Sequence, residues 1–206
     1  MASEELGEII KRLGSDDPFE LLGALEQLNE LLRKEKGDPS PIDILTALRS
    51  HHDHEVRRSA SWCLGKLAQN KVVADYHLEK IAASFRDDDA ETRENSAWTM
   101  GELTSLKIGR EDMIEPLNRL LDDESPETRG MAAWTLGRYA ERLGLGKRSS
   151  VELLEQLADD GNLFVRKSAV WALERIALLS VGLHDSNHEE DAEPPPGAGR
   201  SDEPKD

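Results

Sequence analysis

The sequence is poor in several things, and each absence narrows what the protein can be. It has a single cysteine, Cys63, so no internal disulfide can form and a reducing, cytoplasmic setting is expected. No apolar run approaches the roughly 18 residues that a membrane span needs. The start, MASEELGEII, lacks a basic region followed by an apolar stretch, as a secretory leader would have. Basic residues are outnumbered, 26 Lys and Arg against 42 Asp and Glu, for a formal charge of −16. Nonspecific nucleic-acid binding needs cations that displace counterions, so this balance weighs against that class. Strand-like alternation of useful length is missing, and so are a phosphate-cradling glycine loop and the spacing of a catalytic triad. No catalytic group and no cofactor is expected.

What the sequence does contain is a repeat. An arginine followed five residues later by a tryptophan recurs as Arg57 and Trp62, Arg93 and Trp98, Arg129 and Trp134, and Arg166 and Trp171, at spacings of 36, 36 and 37 residues. A fixed period of this length marks a supersecondary unit that cannot bury its apolar face alone and must stack on its neighbours. The aligned segments begin at Asp53, Asp89, Ser125 and Asn162, all favoured helix N-caps, and Pro126 follows one of them at the first helical position. Ahead of each cap lies a shorter pattern with three- and four-residue spacing, such as Ile44, Leu45 and Leu48, or Leu78, Ile81 and Phe85, which predicts a first helix in every unit. An incomplete copy with Asp17 as cap and Pro18 as first helical residue precedes these, with Leu21 in place of the arginine and Glu26 in place of the tryptophan. Terminal repeats are commonly atypical because one side faces water.

The segment from 184 to 206 holds eight acidic and two basic side chains, several prolines and glycines, and almost no large apolar group, so its composition predicts disorder. The remaining chain is still acidic.

Helical geometry places the tryptophans away from the core. Each residue advances about 100° around the axis, so Val56, Ala60, Cys63, Leu64 and Leu67 share one direction and Trp62 lies about 140° from its centre. Its flank is shared with Arg58 and Lys66; Trp98 is flanked by Glu94 and Glu102, Trp134 by Gly130 and Arg138, and Trp171 by Lys167 and Arg175. On helices about 8 to 10 Å apart, four indoles would form a stripe of roughly 25 to 30 Å. Two readings follow. Such a stripe is a binding surface, since tryptophan is favoured at binding hot spots, or each indole lies sideways in the groove between units as repeated packing. Gly65, Gly101 and Gly137, three residues after the tryptophans, cost about 1 kcal/mol each inside a helix and point to a close approach.

The patterns VRRSASWCLGKLA and TRGMAAWTLGRYA, preceded by MIEPLNRLLDDESPE, resemble HEAT repeats of the short phycobilisome-lyase-like type. The resemblance covers residues 37 to 181 well and 3 to 36 weakly. It implies an all-α, right-handed α-solenoid of about five two-helix HEAT-like repeats in one domain over 1–183: a capping repeat at 3–36, then repeats at 37–72, 73–108, 109–145 and 146–183, with 184–206 as a tail. It also implies that the second helices line a concave, partner-binding face, and that the arginine at each second-helix start pairs with an acidic residue in a turn between units. Arg57, Arg93, Arg129 and Arg166 match that position, with Asp87, Asp123 and Asp160 in the turns; His51 takes that place in the unit of Arg57.

Related enzymes built on this repeat, the deoxyhypusine hydroxylases, bind iron through His-Glu pairs in their second helices. In that register this sequence has Arg58-Ser59, Glu94-Asn95, Gly130-Met131 and Lys167-Ser168, so no metal is expected there. The run His51 to Glu55 reads as a wet turn capped by Asp53, and Cys63 as a small core residue.

The resulting expectation is a non-catalytic scaffold that binds another protein or peptide through Trp62, Trp98, Trp134 and Trp171, with Arg58, Lys66, Arg138, Lys167 and Arg175 orienting the ligand and Glu94 and Glu102 making the middle of the groove acidic. A lyase-like accessory role and a HEAT-like nucleic-acid binder, which would use the same aromatic and basic groups, are the alternatives.

Overall fold

The computed structural model describes residues 2–34 and 37–187. Ten α-helices and no strand occur among the described residues, arranged as five consecutive pairs. The pairs are α1 (Ala2–Leu13) with α2 (Pro18–Lys34), α3 (Ile42–Leu48) with α4 (His54–Gln69), α5 (Leu78–Ala83) with α6 (Ala90–Leu103), α7 (Ile114–Leu120) with α8 (Pro126–Leu143), and α9 (Arg148–Leu157) with α10 (Leu163–Asn187). Each second helix packs on the second helix of the next unit, α2 on α4, α4 on α6, α6 on α8 and α8 on α10, which is the connectivity of an α-solenoid. The helix α10 runs on to Asn187, four residues into the segment expected as tail; residues 188–206 lie outside the described residues.

The anticipated caps start the second helices. Asp53 accepts the Glu55 amide at 2.8 Å, Asp89 the Thr92 amide at 2.8 Å, Ser125 the Thr128 amide at 3.2 Å and Asn162 the Phe164 amide at 2.8 Å. In the first pair Asp17 likewise accepts the Phe19 amide at 3.0 Å. The second helices α4, α6 and α8 also end alike: Lys71 and Lys107 at one repeat position, and Gly144 one residue later in its unit, all adopt left-handed backbone with φ of 60°, 62° and 69°. The residue after each donates back into the last turn, Val72 to Leu67, Ile108 to Leu103 and Leu145 to Tyr139.

One core runs the length of the stack. Leu28, Leu64, Met100, Leu136 and Ala172 are buried in successive second helices, and Leu45, Ile81, Leu117 and Leu154 in the first helices. At the last unit Glu174 stands in the glycine position, but Leu163, Val170 and Leu178 on the same helix remain exposed, so that end face is not uniformly polar.

The arginine clamps connect the units one step further on than the repeat register implies. Arg57 donates to Asp87 through Nε at 2.8 Å and Nη2 at 2.9 Å, Arg93 to Asp123 at 2.7 and 2.8 Å, and Arg129 to Asp160 with its Nε at 3.0 Å. His51, which takes the acidic place in the unit of Arg57, therefore does not deprive that arginine of a carboxylate. The carboxylate in an arginine's own turn faces the preceding unit, and what that turn offers its own arginine is backbone carbonyls: Nη1 of Arg57, Arg93, Arg129 and Arg166 reaches the carbonyls of His51, Asp87, Asp123 and Asp160 at 2.9, 2.8, 2.8 and 2.6 Å. Arg166 forms no ion pair among the described residues. Each clamp thus joins three segments through one planar, five-donor group, which a lysine could not do.

Candidate functional face

The four tryptophans are partly buried on successive second helices. They are not stacked on one another; among the described residues no two indoles make a ring contact. Three of them lie on the glycines of the preceding unit. A Cβ added at Gly65 would come within 2.3 Å of Cε3 and Cζ3 of Trp98, one at Gly101 within 2.3 Å of Cζ3 of Trp134, and one at Gly137 within 2.3 Å of Cζ3 of Trp171. The glycines are there because the benzene edge of an indole occupies the volume of a side chain. Trp62 has no such glycine before it, since Asn29 holds that position, and it lies beside a hollow of about 210 Å³ lined by Asn29, Arg33, Arg58 and Glu91. The packing reading and the surface reading therefore hold together in one arrangement: one edge of Trp98, Trp134 and Trp171 fills the seam, and all four indoles remain in part accessible.

The groups expected to orient a ligand are largely engaged by the protein itself. Lys66 lies 5.9 Å from the ring centre of Trp62 and Arg33 of the first unit 5.3 Å, while Arg138 lies 5.2 Å over Trp134 and Arg175 5.4 Å over Trp171. Glu102, at the same position of its helix, accepts the Trp98 indole N–H at 3.1 Å. Every indole therefore has a polar partner four residues on, three cations over a π face and one carboxylate on an N–H. Arg58 is not free: its Nη2 meets Asp89 at 2.6 Å and its Nε meets Glu91 at 3.0 Å. Burial alone would raise the Asp89 carboxyl, but the Arg58 guanidinium and the Thr92 hydroxyl and amide overcome it and hold the group at about 2. Lys167 is exposed and unpaired among the described residues.

Glu94 is the least comfortable charge on this face. Burial, then the neighbouring carboxylates of Glu127 and Glu91, pushes its pKa above the usual glutamate value. The position of Glu94 in the repeat meets the next unit differently each time: Arg58 pairs with Glu91, Glu94 lies near Glu127, and Gly130 is covered by the ring of Phe164, which an added Cβ would approach to 2.4 Å. Sequence reasoning missed Glu91, Glu127 and Phe164, which occupy one register position two residues before the clamp arginines. Comparing that column with the 58, 94, 130 and 167 column would have found the complementarity of the first pair and the conflict of the second.

The remaining chemistry-bearing residues have structural surroundings. Cys63 is fully buried with its Sγ 2.8 Å from Asn29 Oδ1, and burial pushes the thiol well above its ordinary value, so it is no nucleophile at neutral pH. His51 accepts the Asp53 amide through Nδ1 at 3.1 Å, and no group of three or more His, Cys, Asp or Glu side chains is placed to hold a metal among the described residues. No described helix is long and apolar enough to cross a membrane.

Models of HEAT repeats match residues 41–71 and 77–174. The chain belongs to the HEAT-repeat family. These matches describe HEAT repeats in general and do not single out the phycobilisome-lyase-like type. No curated protein matches the sequence. Among solved structures this HEAT-repeat chain is similar to an engineered protein from the Northeast Structural Genomics Consortium, at 21% identity and a TM-score of 0.70, over 90% of this chain and 86% of that one. It is also similar to a designed armadillo repeat protein in complex with the peptide (KR)4, at 21% identity and a TM-score of 0.63, over 92% and 93% of the two chains. A computationally designed armadillo repeat protein for modular peptide recognition gives 21% identity, a TM-score of 0.63 and 88% of each chain. At this identity the likeness concerns the fold. The HEAT units here stack second helix against second helix.

Proposed function

We propose that the protein is a non-catalytic scaffold that binds an extended peptide or a protein segment across its second helices, with the partly exposed indoles of Trp62, Trp98, Trp134 and Trp171 as anchors. The observation that carries this reading is the repetition: one face presents an indole with a polar partner on four successive helices, at a spacing that an extended chain could follow. Pure packing would need only the benzene edge that fills a glycine seam, whereas Lys66, Arg138 and Arg175 lie over the ring faces and Glu102 accepts the indole N–H on the side away from that edge.

The middle of this face favours a ligand with basic residues. Glu91, Glu94 and Glu127 lie close enough to raise the Glu94 pKa, and a cation placed among them would relieve that repulsion. A whole-chain charge of −16 would speed encounter with such a partner. The designed armadillo neighbour that holds a Lys-Arg peptide supplies a precedent for this ligand class on the same kind of stack. A nucleic-acid ligand has less support, because Arg58 is spent on Asp89 and Glu91, and Arg175 has Glu141 at 3.6 Å.

Titration with an alternating Lys-Arg octapeptide and with its Glu-Asp counterpart, read by tryptophan fluorescence, tests the reading. Saturable binding of the basic peptide is expected, weakened by about 2 kcal/mol or more in Trp98→Ala or Trp134→Ala if those indoles are hot spots. Equal affinity in wild type and both variants would remove the indoles from the binding face.

A further inference from the structure

Neighbouring units leave a hollow between their first helices, and two of these hollows are built from the same repeat positions. The one between the third and fourth units, about 400 Å³, is lined by Phe85, Pro116, Leu120 and Asp122 among others. The one between the second and third units, about 290 Å³, has Arg49, Lys80, Ser84 and Arg86 at those four positions. At these four positions an apolar and acidic set in one unit is a basic and hydroxyl-bearing set in the previous one, while Arg86, Arg93 and Arg119 also line the first hollow and Asp87 the second.

The change extends beneath the surface. Arg49 stands where the later units have Phe85, Leu121 and Ala158, and it is 5% exposed. Ser61 stands where they have Ala97 and Ala133, Ser84 where they have Leu120 and Leu157, and Ser96 where they have Ala60, Ala132 and Ala169. All three serines surround the Arg49 guanidinium. Its Nε donates to Ser61 Oγ at 3.4 Å, and its Nη2 to the Ile81 carbonyl at 2.9 Å, to Ser84 Oγ, and to Ser96 Oγ at 3.5 Å. Four residues have departed from the apolar repeat together.

This network is incomplete in one respect, namely its charge. Among the described residues no carboxylate lies within ion-pair distance of Arg49; Asp87 lines the same hollow and partly offsets the burial of its charge, but both Asp87 oxygens are engaged by Arg57 at 2.8 and 2.9 Å. Arg49 Nη1 is buried with no hydrogen-bond partner among the described residues. A buried guanidinium without a counter-charge is costly, and the other units show that an apolar residue fits here. Burial also pulls the Arg49 pKa down to about 10, which leaves it charged at neutral pH. Above it, Lys80 and Arg86 are exposed and form no ion pair among the described residues, in a chain where acids outnumber bases.

We propose that this hollow is a binding site for a tetrahedral oxyanion of the phosphate class, with Arg49 as the buried counter-charge and Lys80 and Arg86 closing over it. The Ser84 hydroxyl accepts from Arg49, so its own proton is available for an anion oxygen, and Ser50 lines the same space. The volume holds such an ion with several waters, each taking about 30 Å³.

Isothermal titration calorimetry on the full chain with inorganic phosphate, O-phosphoserine and chloride, at matched ionic strength, tests the site in wild type, Lys80→Ala, Arg49→Met and, as control in the neighbouring hollow, Arg119→Ala. Saturable phosphate or phosphoserine binding is expected in wild type and in Arg119→Ala, at least about tenfold weaker in Lys80→Ala and absent in Arg49→Met. Tighter binding of inorganic phosphate assigns the free ion; tighter binding of phosphoserine assigns a phosphoryl group carried on a larger molecule. Lys80, being exposed, decides the matter even if Arg49→Met does not fold. No saturable heat at millimolar phosphate or phosphoserine, an equal response to chloride, or an equal loss in Arg119→Ala and Lys80→Ala would overturn the assignment.

Discussion

Arg93 of one unit and Asp123 of the next meet through two parallel hydrogen bonds at 2.7 and 2.8 Å, with both side chains 8% exposed. The same guanidinium holds the carbonyl of Asp87 at 2.8 Å, so a single side chain ties its own helix start, its own turn and the following turn. Arg93→Ala strands a desolvated carboxylate and is expected to cost about 3 kcal/mol or more. Arg166→Ala, which removes only bonds to carbonyls, should cost clearly less. Urea melts of the two variants check the order, and an inverted order would mean that the forward carboxylate contributes little.

The contact of Trp134 with Gly101 is expected to behave as a lock between two residues. Gly101→Ala places a methyl group 2.3 Å from the indole and should destabilise by about 1 to 3 kcal/mol through overpacking. In a Trp134→Ala background the loss should shrink, since only Thr135 Oγ1, 2.9 Å from the added methyl, still opposes the about 1 kcal/mol that alanine gains over glycine inside a helix. The double-mutant cycle reads this coupling directly; additive effects would show that the seam relaxes around the methyl.

Lys71 ends α4 in the left-handed conformation that Gly144 supplies at the end of α8. The left-handed region costs a side-chain-bearing residue roughly 1 to 2 kcal/mol, offset in part by the greater freedom of glycine when unfolded. Lys71→Gly is accordingly expected to raise stability by about 0.5 to 1 kcal/mol. A thermal melt that shows no gain, or a loss, would mean that the lysine contributes contacts that outweigh its backbone.

Acid should loosen the stack through its inter-unit carboxylates. Against the effect of burial, Arg57 holds Asp87 below its ordinary value and Arg58 and Thr92 hold Asp89 at about 2; the Asn162 amide and Arg129 hold Asp160 below its ordinary value. Groups depressed in the folded state contribute stability that is present above their unfolded pKa of about 3.9 and lost as pH falls through the folded value. Helicity followed by circular dichroism should therefore hold above about pH 5 and fall between about pH 4 and pH 2.

Glu94 acts with the opposite sign. Its folded pKa is raised, so ionisation at neutral pH opposes folding and protonation relieves it. Glu94→Gln is expected to stabilise the protein at pH 7 with little effect near pH 4. It should also weaken the Lys-Arg peptide, because the charge that burdens the free protein is the one that a cation would engage. A variant that gains stability and keeps full peptide affinity would separate the acidic cluster from the binding face.

Much of the fold was legible in the sequence because a repeat states the same physical solution several times. The caps at Asp53, Asp89, Ser125 and Asn162 and the core column of Leu64, Met100 and Leu136 follow from local chemistry and helical period, and those depend only on neighbours in the chain. What tertiary structure decided is everything that crosses from one unit to the next. The clamp arginines meet carboxylates about 30 residues ahead instead of those in their own turns, the indoles rest on glycines of the preceding helix, and Arg58 is paired with Asp89 and Glu91. Arg49 gathers Ser61, Ser84 and Ser96 from three further segments. Periodicity fixes which face of a helix a residue occupies, but the axial offset and rotation between stacked units determine which residue of the neighbour it touches, and those are set by packing of the whole column.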